Sequence, residues 1–325
     1  MEKKEEFSTR PAASPARPQA EAQSARLQRE HRGALRKAMH RRMYPNGVDL
    51  LAVVGILLLS GVLAGVVVAL LARFVAWEPE LITLVGYVFQ MGLSIACVAY
   101  QQRARHVTSS LWRSKGHRVS APLILWGCVL IFVTGIVIEP LLDLFPSAYL
   151  DFVNQSIGTG GWSILMTVVL APILEETLFR GMLQGAITER DGATRGILLS
   201  ALLFGIIHIV PQQVINAFLI GIILGYIYFR TRSLVTVMLL HALNNGVAYL
   251  LLEMLGPEQA SLGLRDLIPN DVLYYVVYSL CVVLMVVGGG MIVWRLNRAE
   301  AARQAAEAAA DAGSEAAPET QQPQA

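Results

Sequence analysis

Eight apolar runs of near membrane-crossing length organise this chain. They cover approximately Leu50 to Ala72, Leu81 to Tyr100, Ala121 to Ile138, Trp162 to Ala186, Thr194 to His208, Val214 to Phe229, Leu234 to Leu252 and Val272 to Trp294. A helix needs about 20 predominantly apolar residues to cross the hydrocarbon core of a bilayer. Within that core the backbone must satisfy its own hydrogen bonds, so runs of this kind close as helices. With 54% hydrophobic and only 15% charged residues, the chain cannot be an ordinary soluble domain. The expected fold class is all-α, a polytopic transmembrane helix bundle of about eight spans. The fourth run contains charges, and the fifth and sixth are short.

The loop charges provide an independent test of that count. Arg103, Arg105, Arg113, Lys115 and Arg118 follow the second run, and Arg190 and Arg195 sit at the turn from the fourth into the fifth. Arg230 and Arg232 divide the sixth from the seventh, and Arg295 and Arg298 close the last. Alternation puts all of these on one side. The opposite loops are poor in Lys and Arg: residues 139–161 hold none and carry Glu139, Asp143 and Asp151, and residues 209–213 hold no charge. Positive-inside bias then predicts a multi-pass protein of the cell membrane with both termini cytosolic.

Residues 1–48 read as a cytosolic tail, disordered or amphipathic, whose Arg26 to Met43 segment carries seven Lys and Arg residues among helically spaced Leu and Met. That pattern fits either a helix lying on anionic lipid or a plain topology-setting flank. Residues 49–298 form the bundle, with its polar core at about 160–250, and residues 299–325 read as a cytosolic tail, an Ala/Glu-rich helix extension fading into a Pro/Gln-rich disordered end. Cys97, Cys128 and Cys281 each lie inside an apolar run with no C-x-x-C pairing, so they are expected to be packing residues. Nothing suggests a nucleic-acid partner. Gly221 and Gly225 form a small-xxx-small pair and Gly288, Gly289 and Gly290 interrupt the eighth run, both read as close helix packing.

The polar exceptions inside the runs carry the chemistry. Glu175, Glu176 and Arg180 lie in the fourth, His208 ends the fifth, and His241 and Asn245 lie in the seventh. An ionisable group at membrane depth costs about 2.5–3.5 kcal/mol, so three together need partners and a task. At 1.5 Å per residue, Glu175, His208, His241 and Asn245 fall about 11–20 Å from the basic end of their helices, in one layer. Glu176 and Arg180, at i,i+4, can pair on one face, while Glu175 projects about 100° away. A carboxylate shielded from bulk water suits a general base, whereas one paired with arginine stays ionised. His241 and Asn245, also i,i+4, present two donors on one face, as an oxyanion site requires. Phe204, taken singly, reads as core.

The motif EETLFRG at Glu175 to Gly181 resembles the EExxxR signature of the CPBP family of intramembrane glutamic proteases, which includes type II CAAX prenyl endopeptidases and bacteriocin-immunity or Abi proteins. FGIIH at Phe204 to His208 matches its FxxxH motif and HALNN at His241 to Asn245 its HxxxN motif, in order, within residues 160–250. The resemblance implies an endopeptidase acting on a membrane-associated peptide or protein, in some members beside a prenylated cysteine. It assigns Glu175 as the base that activates water, with His208 orienting that water. His241 and Asn245 become the oxyanion pair, and Glu176 with Arg180 a supporting pair. Asn244, one residue out of register, reads as a packing or hydrogen-bonding group. No cofactor is implied.

Three other readings compete with it. Zinc held by His208, His241 and Glu175 would make an intramembrane metalloprotease, although no H-E-x-x-H is present. A proton-coupled transporter uses similar residues but commonly shows inverted repeats, and no repeat is evident here. A non-catalytic immunity protein would keep the motifs without the activity.

Overall fold

The structure, a computed structural model, describes residues 26–32, 44–105, 107, 120–146, 160–260 and 262–315. Within them a short helix covers residues 26–32, and eight principal helices follow. These are α1 (Gly47–Phe74), α2 (Pro79–Ala104), α3 (Ala121–Leu142), α4 (Gly161–Asp191), α5 (Ala193–Ile206), α6 (Pro211–Thr231), α7 (Leu234–Ala260, kinked at Gly256) and α8 (Asp271–Glu315). No strand occurs among the described residues. All but α5 are long and apolar enough to cross a membrane. The chain is a multi-pass membrane protein with an all-α bundle architecture.

Local chemistry explains where these helices start and stop. Asn46 and Asp49 form a reciprocal capping box that opens α1, each side chain accepting from the other's backbone N–H at 2.9 Å. Prolines in the first turns of α2, α3 and α6 occupy positions where a missing N–H costs nothing. Gly192, at φ +89°, ends α4 and begins α5 in a conformation that favours glycine.

The fifth span is where structure departs from expectation. An apolar run reaching His208 was expected to be helical throughout, but α5 stops at Ile206 after 14 residues. His208 and Ile209 instead donate to carbonyls three residues back, and Ile209 adopts φ +63°. Pro211 then starts α6. A β-branched residue at positive φ is a strained position, of the kind that clusters at functional sites. The eighth span departs as well. α8 runs unbroken through its three glycines, and of these only Gly289 faces a neighbour, Leu130, so close packing does not explain the run.

α1 packs on α2, α5 on α6, and α8 chiefly on α3, while α4 is wedged against α2, α5 and α7. The two ends of the bundle carry different chemistry. At one, Arg105 pairs with Asp49 at 2.9 Å, and Arg190 bonds Asp191 and the Pro45 carbonyl. At the other, carboxylates collect backbone donors: Glu80 accepts from the Gly160 N–H and Glu139 from that of Leu264. Arg113, Lys115, Arg118 and Asp151 of the charge pattern lie outside the described residues, as do most of residues 1–43. Helix α8 continues past Arg298 to Glu315, as the Ala/Glu-rich helix extension read from the sequence predicts.

Candidate active site

Helix α4 is not a uniform α-helix. Residues Leu165–Leu170 and Thr177–Gln184 are π-helical, flanking the α-helical Ala171–Glu176 that carries both glutamates. Sequence gave no sign of this. The wider turns leave carbonyls that neighbours satisfy: Ser200 Oγ donates to Phe179 O at 2.8 Å and Gln102 Nε2 to Met182 O at 3.0 Å. Pro172 creates another such gap. Ala171 N–H bonds Met166 O in the π register, so residue 172 should donate to Thr167, and proline has no N–H. Asn245 Nδ2 fills the gap by donating to Thr167 O at 3.0 Å.

Around this helix the structure gathers one connected polar group. Glu176 and Arg180, both fully buried, form the ion pair that their spacing predicts, Nε to Oε2 at 3.2 Å. Arg180 also donates to the Gly221 carbonyl at 3.3 Å and lies over the Phe204 ring at 4.5 Å. Burying a guanidinium requires such partners, and a desolvated cation–π contact is worth about 2 kcal/mol. On the far side of Glu176, Oε1 meets His241 Nδ1 at 2.9 Å. The other imidazole nitrogen, Nε2, faces Glu175 Oε2 at 3.8 Å. Tyr87 donates its hydroxyl hydrogen to Glu175 Oε1 at 2.8 Å.

Glycine explains how Arg180 fits. A Cβ at Gly221 would lie 3.0 Å from the Ala201 Cβ, and one at Gly225 2.9 Å from Gln184 Oε1. The small-xxx-small pair therefore packs closely, as expected. It also bares two carbonyls, those of Gly221 for Arg180 and of Gly225 for Gln184 Nε2 at 2.7 Å.

Phe204 is core, 2% exposed, but it is also the hub of the site. Its ring makes edge contacts with His208 at 5.1 Å and His241 at 5.6 Å between centroids. His208 belongs to the strained turn after α5, with Nδ1 on Phe204 O at 2.8 Å. Glu175, Glu176, Arg180 and His241 thus meet directly, and His208 joins them through Phe204. Asn245 sits one turn from His241, tied to Thr167 and accepting from Asn244 Nδ2 at 3.3 Å. Sequence reasoning missed Tyr87 and Thr167. An uncharged tyrosine on another apolar helix carries no signal of its own, and a backbone carbonyl carries none at all. Among the described residues no group of three or more His, Cys, Asp or Glu is placed to hold a metal ion.

Comparison with known proteins centres on the same elements. Residues 158–247 match the family described as type II CAAX prenyl endopeptidase Rce1-like. Over 82 residues the chain is 28% identical to the Bacillus subtilis (strain 168) protein named "Putative membrane peptidase YdiL", covering 25% of this chain and 34% of that one. The chain thus spans about a third of the length of the curated relative it matches. No solved structure matches. The matched stretch holds α4 to the middle of α7, every charged member of the polar group and both histidines, so it is in this segment that the chain is similar to type II CAAX prenyl endopeptidase-like proteins.

Proposed function

We propose that the protein is an intramembrane endopeptidase that hydrolyses a peptide bond of a membrane-associated substrate with water activated by Glu175. One observation carries this reading. Two adjacent buried carboxylates have opposite partners: Glu176 is neutralised by Arg180, whereas Glu175 is held by a neutral tyrosine on one oxygen and faces an imidazole with the other. A carboxylate without a permanent counter-cation keeps the capacity to take a proton. Glu175 Oε2 and His241 Nε2, 3.8 Å apart, can both reach one water oxygen.

In this scheme Glu175 takes a proton from the water as the oxygen attacks the scissile carbonyl, then delivers it to the leaving amine. His208 orients the water. His241 donates Nδ1–H to the charged Glu176 and, as the imidazolium, supplies Nε2–H to the developing oxyanion. Asn245 has committed one of its two amide hydrogens to Thr167, and the second serves as the other donor. Tyr87 is a positioning residue for the base. No metal enters the cycle. A groove of about 530 Å³ between α3 and α7, lined by Leu125, Phe132, Leu243 and Val247, reaches Asn244, whose amide holds Asn245. A lipid-anchored substrate, prenylated or otherwise, can approach through it.

The test is comparative N- and C-terminal proteomics of cells carrying wild type or Glu175→Gln, followed by reconstitution with the peptides identified. New termini that depend on Glu175 are expected, and identical termini in both strains would remove the reading. Activity should survive exhaustive chelation. Loss on chelation with recovery on adding zinc would support the metalloprotease instead.

The basic end of the bundle is assigned to the cytosol. Single cysteines at Ala104 and Thr194, in a background lacking the three native ones, should resist a membrane-impermeant thiol reagent in intact cells. Cysteines at Ala76 and Pro269 should react. The reverse pattern would invert the orientation.

A further inference from the structure

We infer that the cleft between α3, α6 and α8 is a binding site for an anionic phospholipid, separate from the proposed active site. Two adjoining grooves share Ile292. The first, about 450 Å³, is bordered by Arg230, Arg295 and Arg303 with Leu123, Trp126 and Leu296 beneath them. The second, about 530 Å³, is apolar and lined by side chains that include Leu130, Ile223 and Met285. Gly289 also lines it, and adds no side chain to fill the space. From Met285 to Arg303 the two grooves follow one face of α8 for about 27 Å at 1.5 Å per residue.

Charge decides the occupant. The lining carries three arginines against one acid, Glu300, and Glu300 is already engaged, at 2.6 Å from Arg303 and 3.2 Å from Gln304. Arg230 is fixed in place by Tyr226, its Nε donating to the Tyr226 hydroxyl at 3.3 Å, and by stacking on Phe229. Arg295 has no hydrogen-bond or ion-pair partner among the described residues. A phosphodiester accepts from two guanidinium groups at once, and this pair has donors left to give. Half-exposed Trp126 places an amphipathic ring at the level where headgroup meets chain. A cationic rim over a continuous apolar trough matches a phospholipid with net negative charge, its phosphate at Arg230 and Arg295 and one acyl chain along Leu130 and Gly289. Basic pockets between membrane helices recognise lipid headgroups in this manner. The lipid would also clamp α8, which is otherwise held chiefly by α3, to the end of α6.

The full-length purified protein tests this by native mass spectrometry, and by thermal-unfolding midpoints in detergent with added dioleoylphosphatidylglycerol or dioleoylphosphatidylcholine. Retention and stabilisation by the anionic lipid alone are expected. With about 1 kcal/mol per arginine near the surface, Arg295→Gln should weaken phosphatidylglycerol binding about fivefold and Arg230→Gln/Arg295→Gln roughly thirtyfold. Arg295→Gln removes an exposed side chain with no partner, so it should fold as wild type and keep the comparison interpretable. Equal retention of the two lipids would overturn the proposal. So would unchanged binding in the double variant, displacement by inorganic phosphate at equal concentration, or a shift explained by dimerisation.

Discussion

Helices α4 and α8 are both long, and both carry an 18-residue window apolar enough to cross a membrane, yet they solve opposite problems. In α4 the polar side chains Glu175, Glu176, Arg180 and Gln184 are all buried, each with partners from another helix. In α8 apolar side chains such as Val276, Val286 and Trp294 stand more than half exposed, and among its described side chains the buried apolar ones are Cys281 and Ile292. Lipid tails are as apolar as leucine, so hydrophobicity does not distinguish a core helix from a peripheral one here. Buried polarity does, because a charged or hydrogen-bonding group has no alternative but to face protein.

The largest effect should appear when the comparison is broken at Glu175. Glu175→Gln keeps the side-chain volume and removes the base, so turnover should fall about 10²–10⁴-fold in a reconstituted cleavage assay. The thermal-unfolding midpoint should stay near that of wild type, and substantial residual turnover would remove Glu175 from the role of base. Next in size are the structural charges of α4. Arg180→Ala strands Glu176 in a fully buried position and should cost about 3–5 kcal/mol, read by denaturant or thermal unfolding. On α8, Arg298→Gln removes an exposed charge stacked on Trp294 and should change stability by no more than about 0.5 kcal/mol. Comparable losses from both changes would erase the distinction between the helices.

Tyr87→Phe is a finer probe because it deletes one hydroxyl on a helix outside the matched segment. A hydrogen bond to a charged group is worth about 1.5–3 kcal/mol, so kcat should fall about tenfold or more. KM should hold and the unfolding midpoint should fall with the lost bond, whereas a merely structural tyrosine would lower the midpoint and spare kcat. The smallest contrast uses glycine. At Gly205 a new Cβ would sit 2.8 Å from the Val214 carbonyl, on backbone that cannot swing away, and Gly205→Ala should destabilise by about 1–3 kcal/mol. At Gly288 nothing lies within 4 Å, and Gly288→Ala should be neutral or stabilise by up to about 1 kcal/mol. Equal outcomes at the two glycines would mean that α5 and α6 are not packed as described.

The amino-acid sequence by itself determined the helical spans, the alternation of basic and acidic ends, and the residues Glu175, Glu176, Arg180, His208, His241 and Asn245. Each of these rests on a local cost, either of apolar length or of ionisable groups at membrane depth. Spacing alone was enough for the Glu176–Arg180 pair, because i,i+4 neighbours meet on any regular helical face.

Tertiary structure decided the rest. The early end of α5 depends on a strained Ile209 that no apolar pattern announces, and the glycine run of α8 proved to be continuous helix. The π-helical stretches of α4 persist because Gln102, Ser200 and Asn245, from three other helices, satisfy the carbonyls they leave. Tyr87 reaches Glu175 from 88 residues away. Hydrophobic periodicity reports how a segment meets its surroundings on average. Which carbonyl lacks a donor, and which distant hydroxyl lies within 3 Å of a carboxylate, exist only once the helices have packed.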